Sequence, residues 1–73
     1  MARKEIKSEI TGSVWKIVKK VGDAVDEEDA LMILESMKME IPVMAEANGT
    51  VTEMGVKEGD SIVEGQTLAV LEV

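Results

Sequence analysis

The most unusual chemistry in this sequence lies in the short segment "LESMKMEI", where one lysine is framed by methionines and glutamates. Lys38 stands between Met37 and Met39, and Glu35 and Glu40 lie just outside them. A lysine amine is a nucleophile that can form a stable amide with an activated acyl group. A lysine near carboxylates is ordinarily a solvated surface charge, and its spacing alone favours that interpretation. The two apolar neighbours make this lysine the first candidate for a functional residue.

The composition removes most other kinds of functional site. The chain has no histidine and no cysteine, so the commonest general base, the commonest metal ligand and thiolate chemistry are all missing. A copper site built on Met37 and Met39 would need such a ligand to complete it. The acidic run Asp26–Ala30 lacks the spacing and the glycine of a calcium loop, which favours a solvated turn. We predict no catalytic residue and no metal site.

Charge and length limit the partners and the compartment. The net charge of −7 disfavours nucleic acid as a partner, because phosphates would repel such a surface. The segment "MARKEIKSEI" has no apolar core of signal-peptide length, and no apolar run is long enough to cross a bilayer. We therefore expect a soluble, cytoplasmic protein without a membrane partner. Its 73 residues predict one small domain over residues 1–73.

An internal repeat organises the chain. Shifting the sequence by 37 positions aligns "GSVWKIVKKVGDAVDEEDALMILE" with "GTVTEMGVKEGDSIVEGQTLAVLE" without a gap. The identical pairs are Gly12/Gly49, Val14/Val51, Lys20/Lys57, Gly22/Gly59, Asp23/Asp60, Glu27/Glu64, Leu31/Leu68, Leu34/Leu71 and Glu35/Glu72. Two short copies are too few for a solenoid. They predict two halves of one pseudo-symmetric domain, packed face to face.

The repeat decides between a helix and a strand in the first half. The segment "EEDALMILESMKMEI" has apolar residues at helical spacing and is rich in helix-forming residues. Its counterpart "EGQTLAVLEV" contains Gly65, Thr67 and two valines, which suit a strand. If the halves share a structure, both segments are strands. We therefore predict strands in both halves.

Turn residues at matching places complete an all-β prediction. The dipeptides Gly22-Asp23 and Gly59-Asp60 are typical of turns, and many short strands with regular turns indicate a sandwich or barrel. The predicted strands are Lys4–Glu9, Gly12–Val18, Ala24–Val25, Ala30–Glu35, Met39–Met44, Thr50–Met54, Ser61–Val63 and Thr67–Glu72. The predicted core residues are Ile6, Val14, Ile17, Val21, Val25, Leu31, Ile33, Val43, Val51, Met54, Ile62, Leu68 and Val70. Trp15, which aligns with Thr52, is expected to be a partly exposed strand residue.

The predicted strands place Met37 and Lys38 at a hairpin turn that lacks the usual turn residues. A two-residue hairpin favours Asn-Gly or Asp-Gly, because both central residues take positive φ. A Met-Lys pair in this position would store strain, and strained non-glycine turns are often functional. Such a turn would project one long side chain from the tip of a rigid hairpin.

These features resemble the biotinyl/lipoyl attachment domain family. The resemblance rests on "ESMKME", on the following "GTV" at Gly49–Val51, on the "GD" turns and on the two-half pattern, and it extends from about Glu5 to Val73. It implies a flattened sandwich or barrel of two four-stranded antiparallel sheets with pseudo-two-fold symmetry. It also implies that the modified lysine lies on a hairpin at one end of the domain.

The resemblance further implies roles for the residues of this motif. Lys38 matches the covalent attachment site, and Met37 and Met39 match the methionines that flank a biotinyl lysine. Glu35 and Ser36 fit what precedes the lysine in both the biotinyl and the lipoyl branches. Lipoyl domains commonly have Asp or Val in place of Met37 and Ala or Val in place of Met39. Biotin is therefore the expected cofactor, and lipoate is the alternative.

The implied function is that of a non-catalytic carrier in a biotin-dependent carboxylase system. A biotin protein ligase would supply the biotinyl adenylate, and the amide would extend Lys38 into an arm with a reach of roughly 14 Å. Such an arm would move between a biotin carboxylase component and a carboxyltransferase component. The lipoyl alternative would use a lipoate ligase and carry acyl or aminomethyl groups.

A second alternative is structural. The segment "GTVTEMGVKEGDSIVEGQTLAVLE" also resembles the unmodified lipoyl-like domain of membrane-fusion adaptor proteins. Those proteins usually insert a long coiled coil between the two halves. Here only "SMKMEIPVMAEAN" joins the halves, and a lysine lies at its predicted tip, which favours the carrier.

Overall fold

The computed structural model describes residues 2–73, and every regular element in that range is a β-strand. The prediction of an all-β fold is confirmed, and the predicted strand ends are correct to within two residues. The eight strands are β1 Arg3–Lys7, β2 Gly12–Ile17, β3 Ala24–Val25, β4 Ala30–Ser36, β5 Met39–Met44, β6 Gly49–Met54, β7 Ser61–Ile62 and β8 Thr67–Glu72. Within residues 2–73 no helix is long and apolar enough to cross a membrane.

The strands form two four-stranded antiparallel sheets, in the orders β1-β8-β6-β3 and β5-β4-β2-β7. Each sheet therefore takes two strands from each half of the repeat. The prediction that the halves pack face to face is wrong, because neither half forms a sheet by itself. The halves exchange strands, so neither has a complete hydrogen-bonded sheet without the other.

The two halves have the same backbone pairing, and we call residues 37 positions apart equivalent. Val14 pairs with Leu34 across β2 and β4, and the equivalent Val51 pairs with Leu71 across β6 and β8. Both ladders contain a β-bulge at the following residue, which is Trp15 in one half and Thr52 in the other. The pseudo-two-fold symmetry thus extends to irregularities in pairing that local sequence does not show.

The hydrophobic core consists of two clusters that the pseudo-symmetry relates. One contains Ile6, Val25, Leu31, Ala45, Val51, Ala69 and Leu71. The other contains Val14, Met32, Leu34, Val56, Ile62 and Leu68. Val43 and Met54 are partly buried and pack against both clusters. The second cluster includes Leu34 and Met32 of β4, so it lies beneath the hairpin that carries Lys38.

Most of the predicted core is confirmed, and the exceptions have local causes. Val21 was predicted to be buried, but it is 57% exposed. It lies in the turn before Gly22, where its side chain faces solvent, and its equivalent residue is the polar Glu58. Ile17 and Ile33 are only partly buried. Trp15 is 48% exposed, as expected for a bulged strand residue.

The prediction also missed six buried hydrophobic residues, namely Met32, Leu34, Ala45, Val56, Ala69 and Leu71. Part of the reason is a bulge in β4, where Ala30 pairs with Met44 and Met32 pairs with Val43. Leu31 has no partner in β5, so consecutive residues Leu31 and Met32 both face the core. Strict alternation along a strand does not hold across a bulge.

Candidate functional site

The β4–β5 hairpin ends in a two-residue turn made by Met37 and Lys38. Ser36 pairs with Met39 at the base of this turn. The φ angles of Met37 and Lys38 are +50° and +69°, so both lie in the left-handed region. Two consecutive positive φ angles define the type I′ turn, whose twist matches that of the flanking strands. The predicted strained turn is therefore present, and it costs about 1–2 kcal/mol per non-glycine residue.

The side chains at the tip are fully available to solvent and to a partner. Met37 is 93% exposed, Met39 is 63% exposed, and Lys38 is also exposed. In the described part of the chain, the ion pairs join Arg3 to Glu53 and Lys4 to Glu46, and neither involves Lys38. The tip therefore presents an amine and two apolar thioethers to solvent.

The hairpin is held from below by the segment that enters β2. The Ser36 hydroxyl donates a hydrogen bond to the carbonyl oxygen of Thr11 at 3.1 Å. Next to it, a Cβ atom on Gly12 would collide with the carbonyl oxygen of Glu35. The equivalent Gly49 makes the same close approach to Glu72, which explains why both halves keep a glycine there. The backbone at the base of the tip is therefore tightly packed.

The outer face of the hairpin is acidic. Glu35 and Glu40 lie directly opposite each other across β4 and β5, and both are exposed. Like charges in this arrangement destabilise a sheet slightly. The pair gives a partner protein a negative surface beside the exposed methionines.

All five residues singled out from the sequence lie together on this hairpin: Glu35, Ser36, Met37, Lys38 and Met39. The sequence reasoning missed the supporting contacts of Thr11 and Gly12. The glycine identity at Gly12/Gly49 was a signal for a close backbone approach, but the partner strand could not be read from it. Residues 2–73 contain no group of three or more acidic side chains placed to hold a metal ion.

Comparison with known proteins identifies the class to which this fold and this hairpin belong. A family model described as "Biotin-requiring enzyme" matches residues 4–71. The biotin/lipoyl attachment protein of Bacillus subtilis is 45% identical over 60 residues, which cover 82% of each chain. The biotinylated protein TB7.3 homolog of Mycobacterium leprae is 43% identical over 67 residues, covering 92% of this chain and 94% of the relative.

The fold is also found as a small part of a much larger protein. The structure of the Kluyveromyces lactis urea carboxylase superposes with a TM-score of 0.92 at 38% identity, covering 99% of this chain and 6% of that chain. The chain therefore belongs to the biotin/lipoyl attachment domain family. The predicted sandwich of two four-stranded sheets and the family resemblance are both confirmed.

Proposed function

We propose that Lys38 is the residue to which a cofactor is covalently attached, and that this cofactor is biotin. The observation that carries the proposal is the strained turn: a positive-φ lysine lies at the exposed tip of a hairpin that is otherwise firmly held. A turn that needed only stability would use Asn-Gly, so Met-Lys at this place favours a functional role.

The attachment step uses the side chain of Lys38 as a nucleophile. Its neutral amine attacks the acyl carbon of a biotinyl adenylate that a ligase supplies. A C–N bond forms, the C–O bond to phosphate breaks, AMP leaves with that electron pair, and the amine loses a proton. Lys38 is exposed at the turn, where a ligase active site can enclose its amine.

Biotin is favoured over lipoate by the two methionines. Met37 and Met39 expose unbranched thioethers on either side of the amine, and these give the ligase a flexible apolar surface to contact. In the family pattern these two positions differ between the biotinyl and lipoyl branches. The M. leprae relative is named as a biotinylated protein, which also supports biotin. Lipoate remains the second candidate, because the B. subtilis relative is named for both attachments.

We propose that the domain acts as a carrier and leaves catalysis to its partners. When bound, biotin supplies a ureido nitrogen that accepts and releases a carboxyl group. The domain contributes a rigid base and an arm, and its partners are a biotin carboxylase and a carboxyltransferase component in the cytoplasm. The likeness to a domain of a urea carboxylase supports a carboxylase partner.

The test is ligase-dependent modification in vitro. The protein, biotin, ATP and a biotin protein ligase should give a single addition, localised to Lys38 by peptide mass mapping. Lys38→Arg should abolish the addition and leave the circular dichroism spectrum unchanged. Lys57→Arg, which removes an exposed lysine from a turn elsewhere, is the matched control and should modify normally. Modification of Lys38→Arg at another lysine would refute the assignment, and no modification of the parent would favour the purely structural alternative.

A further inference from the structure

A small cavity of about 140 Å³ opens between the end of β1 and the edge strand β5. Its apolar wall is formed by Leu34, Ile41, Val43 and Ile10. Of these, Leu34 is fully buried and the other three are partly buried. The cavity therefore offers an apolar surface that the second core cluster leaves open toward solvent.

Charged side chains surround the mouth of this cavity. The equivalent residues Glu9 and Glu46 line the cavity, as does Lys7. All three residues are exposed. The mouth thus combines hydrogen-bond acceptors and a donor above an apolar floor, which is the usual composition of a small-molecule site.

The cavity is asymmetric, although the backbone around it is pseudo-symmetric. On the side toward the Lys38 hairpin its wall includes Ile41 and Pro42. The equivalent residues on the other side are Lys4 and Glu5, and the ammonium group of Lys4 lies 3.9 Å from a carboxylate oxygen of Glu46. The same backbone therefore carries charged side chains on one side and apolar ones on the other. The apolar side is the one that leads to Lys38.

We propose that this cavity is a resting site for the bicyclic head group of biotin attached to Lys38. This inference rests on the proposed biotinylation of Lys38. Ile41 lies in β5, three residues after Lys38 in the chain, so the two residues are at most about 10 Å apart at the usual rise per residue. A biotinyl-lysine arm with a reach of roughly 14 Å spans that distance.

The size and polarity of the site fit this head group. A cavity of about 150 Å³ holds benzene, so one five-membered ring enters and the other stays at the mouth. The sulfur-containing ring is apolar and suits the wall formed by Ile41 and Val43. The ureido ring then lies among the charged side chains. Its N–H groups can donate to the carboxylates of Glu9 and Glu46, and its carbonyl oxygen can accept from the amine of Lys7. The dithiolane ring of a lipoyl group has no N–H group that could donate a hydrogen bond to these carboxylates.

The decisive experiment compares the unmodified and biotinylated full chains by methyl-detected NMR. Complete modification at Lys38 is first verified by mass. We expect chemical-shift changes at the methyl groups of Ile10, Ile41 and Val43, with nuclear Overhauser contacts between Ile41 and protons of the biotin rings. Changes confined to residues 36–40, without such contacts, would overturn the resting site. Failure of the mass shift would instead refute the proposed function.

A variant and a matched control distinguish binding of biotin in the cavity from shift changes that modification of the nearby Lys38 causes by itself. Ile41→Lys copies the equivalent Lys4 and places a charge in the apolar wall, so the shift changes at Ile10 and Val43 should disappear. Glu40→Gln lies next to it on the same strand but outside the cavity, and it should leave those changes intact. Equal shift changes in both variants would contradict docking in this cavity. The contacts measured in the parent protein decide the question even if Ile41→Lys does not fold.

Discussion

At the scale of single residues, the proposed function depends on Lys38 and the two methionines beside it. Their place at the tip of a hairpin could be predicted from the sequence, because the predicted strands on either side leave a short turn that contains Met37 and Lys38. The sequence alone could not determine the left-handed conformation of Met37 and Lys38, since a turn type depends on the pairing of Ser36 with Met39. The support from Thr11 could not be predicted, because it lies 25 positions from Ser36 in the chain.

Because the turn is strained, its natural residues Met37 and Lys38 should lower the free energy of unfolding. Replacing Met37-Lys38 by Asn-Gly should raise the free energy of unfolding by about 1–2 kcal/mol, because these residues tolerate positive φ. Lys38→Ala is the matched control, since it also removes the amine but keeps a Cβ atom, and it should stay within about 0.5 kcal/mol of the parent. Denaturant melts measure both values. If the Asn-Gly variant is no more stable than Lys38→Ala, the turn is not strained.

The residues at positions 37 and 39 should determine whether a ligase attaches biotin or lipoate. Met37→Asp combined with Met39→Ala should lower the rate of biotinylation and permit lipoylation by a lipoate ligase, because these positions separate the two branches of the family. Both side chains are exposed, so the double variant should fold like the parent. Rates with each ligase are measured by mass spectrometry. Unchanged biotinylation in the double variant would show that the methionines do not select the cofactor.

At the scale of strands and turns, the internal repeat was the most informative feature of the sequence. It predicted that β4 is a strand although its local sequence favours a helix, and the structure confirms this. The bulges at Trp15 and Thr52 could not be predicted, because a bulge is a property of the pairing between strands. For the same reason, the burial of Met32 beside Leu31 was missed.

Because the two halves are equivalent, truncating equivalent core residues should lower the free energy of unfolding by similar amounts. Leu31 and Leu68 are both fully buried, one in each core cluster. Each change to Ala should lower the free energy of unfolding by about 2–5 kcal/mol. The total stability of so small a domain is near the low end of the usual range, about 5 kcal/mol, so both variants should be marginal. A large loss for one variant and none for the other in denaturant melts would show that the halves are not energetically equivalent.

At the scale of the whole molecule, the exchange of strands between halves makes two four-stranded sheets from a short chain. The molecule measures 36 × 18 × 17 Å and contains two small core clusters instead of one large core. The sequence predicted two related halves, but not that each sheet would combine strands from both, because the repeat alone does not define strand order. Since each sheet needs both halves, the base of the Lys38 hairpin is held by strands from across the whole chain.

The most direct test of the central claim is the mass of the protein purified from its own cells. Intact mass spectrometry followed by peptide mapping identifies both the attached group and the residue that carries it. We predict an addition equal to one biotinyl group, located on Lys38 and absent from every other lysine. A lipoyl addition, an addition at a different lysine, or an unmodified protein from biotin-replete cells would contradict it.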